Sequence, residues 1–168
     1  MHFFSTLLAL GFTLMAQTTS AIPAPAPAVS AWGSLEILKR TVDNLPPSDQ
    51  FVVCPGYRYS REQVEKAIQR GIILTPTIEP QPGGYPHVFG NNKKLKFDSK
   101  CDKKTLYEFP LLHGDNLYGG GDPGADRVVF YIYTNNPDTD PTDDGAYCGV
   151  MTHDGAPEGE FALCNVED

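Results

Sequence analysis

The sequence predicts an α+β fold, a single N-terminal helix packed on a central antiparallel β-sheet. Three observations carry this. One segment alone combines helical periodicity with a marked start. The chain beyond that segment breaks into short apolar runs bounded by Gly, Pro and Asn, the pattern of strands and turns. The 168 residues also include 16 Gly and 15 Pro, a content that favours turns over long helices.

The helix starts at Ser60-Arg-Glu-Gln63, which has the form of a capping box, with Ser60 as N-cap and Gln63 three residues on. Val64, Ala67 and Ile68 follow at helical spacing, and Gly71 stands where a helix stops. A three-turn helix over residues 61–70 is expected, with Glu62, Glu65, Lys66 and Gln69 in solvent. Strands are expected over residues 71–74, 87–89, 106–110, 127–134, 147–152 and 161–164. The strongest is Arg127-Val-Val-Phe-Tyr-Ile-Tyr133. No internal repeat is present.

Ahead of this domain lie processing segments. Residues 1–21 contain no Asp, Glu, Lys or Arg, carry an apolar run from Phe3 to Met15, and end in Thr19-Ser20-Ala21. That is the pattern of a secretory signal peptide cut after Ala21, and the run is short for a membrane span. Residues 22–50 begin Ile22-Pro-Ala-Pro-Ala-Pro-Ala28, an extended stretch that packs poorly, so they form a linker or propeptide. Lys39-Arg40 is a dibasic pair of the kind processing peptidases cut; the alternative is an ordinary charged pair on a short helix over residues 32–40. The folded domain is expected over residues 51–168. The chain is thus expected outside the cell, with no membrane partner and as a monomer.

Cys54, Cys101, Cys148 and Cys164 make an even count in an exported chain, which implies two disulfides with three pairings open. Their spacing fits neither a zinc ribbon nor a CxxC redox site. No N-x-S/T glycosylation sequon occurs. The net charge of −8 argues against tight, non-specific binding of nucleic acid, which needs a basic surface. It leaves open an enzyme that engages a few nucleotides in a cleft. Lys93, Lys94, Lys96, Lys100, Lys103 and Lys104 form a local cationic run that either touches phosphates or is a solvated loop. Asp138, Asp140, Asp143 and Asp144 are expected at a solvated hairpin tip, because their spacing lacks an EF-hand's Gly and closing Glu.

Four residues suit chemistry. His87 and His153 lie in strand-like contexts flanked by turn residues. Glu108 in Tyr107-Glu-Phe-Pro110 is a carboxylate among large apolar groups, where burial raises its pKa toward a useful range for a base. Arg127 enters an apolar strand and needs an anion partner, a substrate phosphate or Glu108. Singly each has a structural reading. Together a base, an acid and two cations suit cleavage of a phosphodiester through a ribose 2′-hydroxyl.

Tyr85-Pro-His87, Tyr107-Glu-Phe-Pro110, the stretch Gly121-Asp-Pro-Gly-Ala-Asp-Arg-Val-Val-Phe130, and Gly149-Val-Met-Thr-His153 with Phe161 and Cys164 resemble the fungal extracellular guanyl-preferring ribonucleases. The likeness runs in order from Cys54 to Cys164, and the helix at Ser60 sits where that family has its one helix. It implies that Glu108 is the general base, His153 the general acid, and Arg127 and His87 the cations that stabilise the phosphoryl oxygens. Tyr85 and Phe161 would contact the phosphate and wall its site. RNA is then the partner, and neither cofactor nor metal is required. The cysteine placement is similar to that of the fungal ribotoxins, which implies the pairs Cys54–Cys164 and Cys101–Cys148. A ribotoxin-like enzyme acting on ribosomal RNA is therefore an alternative, as is a non-catalytic secreted RNA-binding effector. The acidic charge and short loops favour a general ribonuclease, and the full set of four residues favours an enzyme. Phe89, Gly90, Asn91 and Asn92 would form the base-binding loop. That family places an acid there to hold guanine; here Lys93 occupies the position and Asp98 comes several residues late.

Overall fold

The computed structural model describes residues 40–75, 81–134 and 143–168. The signal segment, the Pro/Ala stretch, the 32–40 helix alternative up to Lys39, and Asp138 and Asp140 lie outside the described residues. The described strands are β1 (Val42–Asp43), β2 (Phe51–Cys54), β3 (Tyr57–Ser60), β4 (His87–Val88), β5 (Tyr107–Pro110), β6 (Asp126–Tyr133), β7 (Asp144–Thr152), β8 (Ala162–Leu163) and β9 (Asn165–Glu167), with α1 (Arg61–Leu74) between β3 and β4. The main sheet has six strands in the order β1-β7-β6-β5-β4, with β8 paired to β7, and β3-β2-β9 form a second, three-stranded sheet. The main sheet is antiparallel except where β1 pairs parallel to β7. This is the α+β class, one helix on an antiparallel-rich sheet, joined by disulfides Cys54–Cys164 and Cys101–Cys148. The first closes 110 residues of sequence, worth about 4–5 kcal/mol on a chain-entropy account.

The helix starts as its sequence dictates. Ser60 Oγ accepts from Gln63 N, and Gln63 Oε1 accepts from Ser60 N. It does not stop at Gly71. It continues to Leu74, so the strand expected over residues 71–74 is helix. The glycine is there for packing: a Cβ on Gly71 would lie 2.6 Å from Phe130 Cζ and 3.5 Å from Phe109 Cβ. This close approach lets α1 settle on β5 and β6. Val64, Ala67, Ile68 and Ile72 are buried there with Phe109, Val128, Phe130 and Val150. Gln69, expected in solvent, is 6% exposed, because its Nε2 donates to Arg40 O.

Three further departures come from short or long-range pairing. The sheet begins ahead of residue 51, since Val42 pairs with Gly145 and is buried in the core. The β2–β3 hairpin pairs Phe51 with Ser60 through Cys54 with Tyr57, and neither strand has a long apolar run. Asp144, expected at a solvated tip, opens β7 and is buried, while Asp143 stays half-exposed. On the other side of β6, the register jumps from Val129–Gly149 to Phe130–Tyr147, which leaves Cys148 unpaired as a bulge. Its disulfide to Cys101 ties the lysine-rich loop to the sheet. Cys101, Leu106, Val129, Cys148 and Met151 form a second small core, on which Phe89, Leu95, Phe97 and Phe161 pack.

Candidate active site

Cross-strand register assembles the site. His87 on β4 stands directly opposite Glu108 on β5, and Glu108 opposite Val129 on β6. Arg127 on β6 stands opposite Pro110 on β5 and Met151 on β7, two residues before His153. Because side chains alternate along a strand, this ladder brings Glu108 and its neighbours to one face at one end of the sheet.

Glu108 is the centre. Its side chain is 8% exposed, and Nδ1 of His87, 47% exposed, lies 3.3 Å from its Oε1. Its Oε2 is buried with no hydrogen-bond partner among the described residues. Burial pushes the Glu108 carboxyl above the ordinary carboxylate range, and the charges of His87, Arg127 and His153 pull it part of the way back. All three cationic residues singled out in the sequence thus act on the same carboxylate.

Arg127 is buried and held rigidly. Its Nη1 donates to the carbonyls of Pro123 (3.1 Å), Gly124 (2.9 Å) and Asp126 (2.8 Å). Its Nε donates to Tyr85 Oη at 3.2 Å, and the guanidinium carbon lies 5.2 Å from the Tyr85 ring centroid. The pairing with Glu108 considered from the sequence is therefore not what fixes Arg127; the turn before β6 does that. Tyr85 also stacks on His87, with ring centroids 4.7 Å apart.

His153 follows β7. Its backbone N–H donates to Ala125 O, and its Nδ1 lies 2.7 Å from Glu160 O. A carbonyl accepts only, so Nδ1 must carry the hydrogen, which leaves Nε2 to exchange a proton with a substrate. The ring stacks on Phe161, with centroids 3.8 Å apart. Sequence reasoning does not find Glu160. Its role is a loop contact seven residues from His153 and has no periodic signal.

In the loop expected to bind the base, several groups are engaged within the protein. Phe89 faces Phe161 and Phe97 edge-on, at 6.1 and 5.9 Å. Its own N–H is used by Leu106 O. Asn91 turns inward: Nδ2 donates to Leu95 O and Oδ1 accepts from Leu95 N, so its side chain shapes the loop and is not offered to a base. Gly90 and Asn92 remain exposed. Lys93 Nζ reaches Glu160 Oε1 at 2.6 Å. An open cleft of about 540 Å3 lies behind this loop, lined by Phe89, Leu95, Phe97 and Lys94, Lys96, Lys103 and Lys104, and does not include Glu108 or His153. His113, the remaining histidine of the domain, stands apart, stacked on Tyr57 with Nε2 3.5 Å from Asp126 Oδ2.

Residues 48–165 match the sequence profile of the ribonuclease family. The chain belongs to this family. This ribonuclease is 35% identical over 114 residues to guanyl-specific ribonuclease U1 of Ustilago sphaerogena, covering 68% of this chain and 94% of the relative. It is 28% identical over 160 residues to guanyl-specific ribonuclease N1 of Neurospora crassa, covering 91% and 92%. With guanyl-specific ribonuclease Ap1 of Aspergillus pallidus it shares 38% identity over 112 residues, 66% of this chain and 94% of the relative. The match supports an endoribonuclease with RNA as substrate.

Proposed function

We propose that this ribonuclease is a secreted, metal-independent enzyme that cuts single-stranded RNA by transphosphorylation, with Glu108 and His153 as base and acid. The observation that carries this is the buried Glu108 carboxylate set among His87, Arg127 and His153. Glu108 takes the ribose 2′-hydroxyl proton, and the 2′-oxygen attacks phosphorus. The bond from phosphorus to the 5′-oxygen breaks, and Nε2 of His153 gives that oxygen its proton. The products are a 2′,3′-cyclic phosphate and a free 5′-hydroxyl. Water then opens the ring with the two roles reversed. The nucleophile belongs to the substrate, so no metal is needed to generate it. Arg127 has Nη1 and Nε occupied, which leaves Nη2 for the phosphoryl oxygens, and Tyr85, which accepts from its Nε, stacks on the His87 ring. Tyr85 hydrogen-bonds the phosphate, and Phe161 holds the His153 ring and walls the site.

Two disulfides and an apolar leader support secretion. The guanyl-specific relatives support a guanine preference, read here by Phe89 stacking and by backbone groups of Gly90 and Asn92. The test is digestion of a defined RNA in EDTA with sequencing of the cut ends. Cleavage after guanosine that leaves cyclic phosphate ends is expected, and its loss in the Glu108→Gln, His153→Gln double variant. Inactivity of the unaltered protein would sink the proposal. One discrete fragment from intact ribosomes, in place of general degradation, would point to a ribotoxin-like enzyme.

A further inference from the structure

We propose that the lysine-lined cleft behind the Phe89 loop is a second RNA site, which takes the strand beyond the nucleotide being cut. This rests on the reading of the chain as an RNA-cutting enzyme, and adds a surface that the chemistry at Glu108 does not use. The sequence alone leaves the lysine run with two readings, a phosphate contact or a solvated loop. The structure adds where the side chains go. Lys94, Lys96, Lys103 and Lys104 line one open cleft of about 540 Å3, with Phe89 and Phe97 among its apolar residues. The chain has a net charge of −8, yet residues 93–104 carry six lysines against Asp98 and Asp102. Lys93 is paired with Glu160, and Lys100 Nζ donates to Asn44 Oδ1. Lys104 Nζ lies over the Tyr131 ring. Lys94, Lys96 and Lys103 have no ion-pair partner among the described residues, and Asp102 is the one carboxylate in the lining. Three neighbouring cations without carboxylates make a place where a polyanion is favoured.

Two of these lysines stand where the backbone disfavours them. Lys94 has φ 58° and Lys103 φ 61°. Asp102 (φ −60°, ψ 135°) and Lys103 form a turn of type II geometry, closed by Lys104 N donating to Cys101 O at 3.2 Å. The third position of such a turn favours glycine or asparagine, because a Cβ crowds the backbone at positive φ. Both lysines thus keep a charged side chain at a strained position, and both side chains line the cleft. The frame around them is firm. Cys101 is buried and bonded to Cys148 on β7, and Asn91 holds Leu95 by two hydrogen bonds. A row of ring contacts links the cleft to the acid. Phe161 stacks on His153 at 3.8 Å, Phe89 meets Phe161 at 6.1 Å, and Phe97 meets Phe89 at 5.9 Å. Phe89 and Gly90 therefore belong both to the loop read as taking the base and to the cleft. A strand held at one base by this loop has the lysines beside it as it runs on. Rings with cations alongside are the composition that holds a single strand without regard to sequence.

The test compares two double variants that each remove two positive charges: Lys94→Gly with Lys103→Gly in the cleft, and Lys66→Gln with Arg70→Gln on α1. Glycine suits a positive φ, so the cleft variant should fold, which its thermal melt checks. The helix packs on Phe109, Val128 and Phe130, whereas the core under the cleft includes Val129 and Met151, so the two pairs sit on opposite faces of the sheet. The first probe is a 2′-O-methyl RNA octanucleotide with one guanine, which cannot be cut because its 2′-oxygen has no proton to lose. Each single-strand phosphate contact contributes about −0.7 to the slope of log K against log salt. The cleft variant should lose about 1.4 of that slope and bind roughly tenfold more weakly at about 0.1 M salt, while the α1 variant matches the unaltered protein. Unchanged binding in the cleft variant, or an equal loss in the α1 variant, overturns the proposal. The second probe is cutting. In the cleft variant kcat/KM should hold for a guanosine dinucleoside phosphate, which spans only the cut bond. It should fall roughly tenfold for the ordinary RNA octanucleotide of the same sequence as the first probe. Equal falls on both substrates overturn the proposal, because the lysines would then act at the cut bond. No cutting by the unaltered protein, with the binding difference intact, would sink the reading of the chain as an enzyme and leave the cleft as an RNA site.

Discussion

Nδ1 of His87 lies 3.3 Å from Oε1 of Glu108, across directly paired positions of two antiparallel strands. The histidine is half in solvent and the glutamate is not. When protonated, His87 brings a cation to a carboxylate whose burial disfavours ionisation. Removing it in His87→Asn should move the acid limb of the kcat/KM profile to higher pH, because one of the charges that favours ionised Glu108 is gone. On the proposed mechanism the same change also removes a cation from the phosphoryl oxygens and should lower kcat by about 10²–10³-fold. A pH–rate profile measures both. An unmoved acid limb would mean that His87 does not set the charge of the base.

Glu108→Gln should separate activity from stability. Loss of the proposed base should cost roughly 10²–10⁴-fold in kcat/KM. Stability should move the other way at neutral pH. The folded-state pKa of Glu108 is raised, so the folded protein binds this proton more tightly than the unfolded chain does. Stability from this group is complete below the ordinary carboxylate pKa and is lost as pH rises through the folded value. Gln cannot ionise and avoids that loss. The variant should match or exceed the parent melting temperature at pH 7, and its relative advantage should shrink toward pH 3. A variant that is less stable at pH 7 than at pH 3, relative to the parent, contradicts the burial account.

Gly71→Ala tests whether packing or helix propensity rules at the end of α1. Alanine gains about 1 kcal/mol of propensity over glycine in a helix. Its Cβ would sit 2.6 Å from Phe130 Cζ, and Phe130 is fully buried between the helix and the sheet. Overpacking a core costs typically about 1–3 kcal/mol. The net expectation is a lower midpoint in urea denaturation. A higher midpoint would show that Phe130 yields easily.

The same glycine shows where sequence reasoning reaches and where it stops. The start of α1 is legible because a capping box is local, four residues that satisfy one another. Its end is not, because the reason for Gly71 is a ring on β6 about sixty residues away. The site follows the same division. His87, Glu108 and Arg127 lie on strands whose apolar runs are readable, and adjacent antiparallel pairing does the rest. Glu160 and Pro123 act through backbone carbonyls, to which any residue type contributes equally, so nothing in their side chains announces it. β1 is invisible for a different reason. Two residues have no periodicity, and their partners lie about a hundred residues on.

Lys93 is expected to set how sharply the base is read, through its ion pair with Glu160. Guanine presents two adjacent donors at its Watson–Crick edge, N1–H and N2–H2, where adenine has an N1 acceptor and only its N6 amino donor, and a free carboxylate can accept from both guanine donors. Glu160 stands beside Phe161 and the Phe89 loop, but its carboxylate is already held by Lys93 Nζ at 2.6 Å. Lys93→Ala should free that carboxylate and raise the ratio of kcat/KM for guanosine over adenosine substrates, by roughly tenfold if one such contact forms (about 1–3 kcal/mol). The fold should not suffer, because the Lys93 side chain is 67% exposed and such surface pairs contribute about 0–1 kcal/mol. Nor should the acid be disturbed, since His153 bonds to the backbone carbonyl of Glu160 and not to its side chain. Initial rates on matched dinucleoside phosphates decide it. A ratio that stays constant or falls would remove the Glu160 carboxylate from base recognition and leave that task to the backbone of the loop.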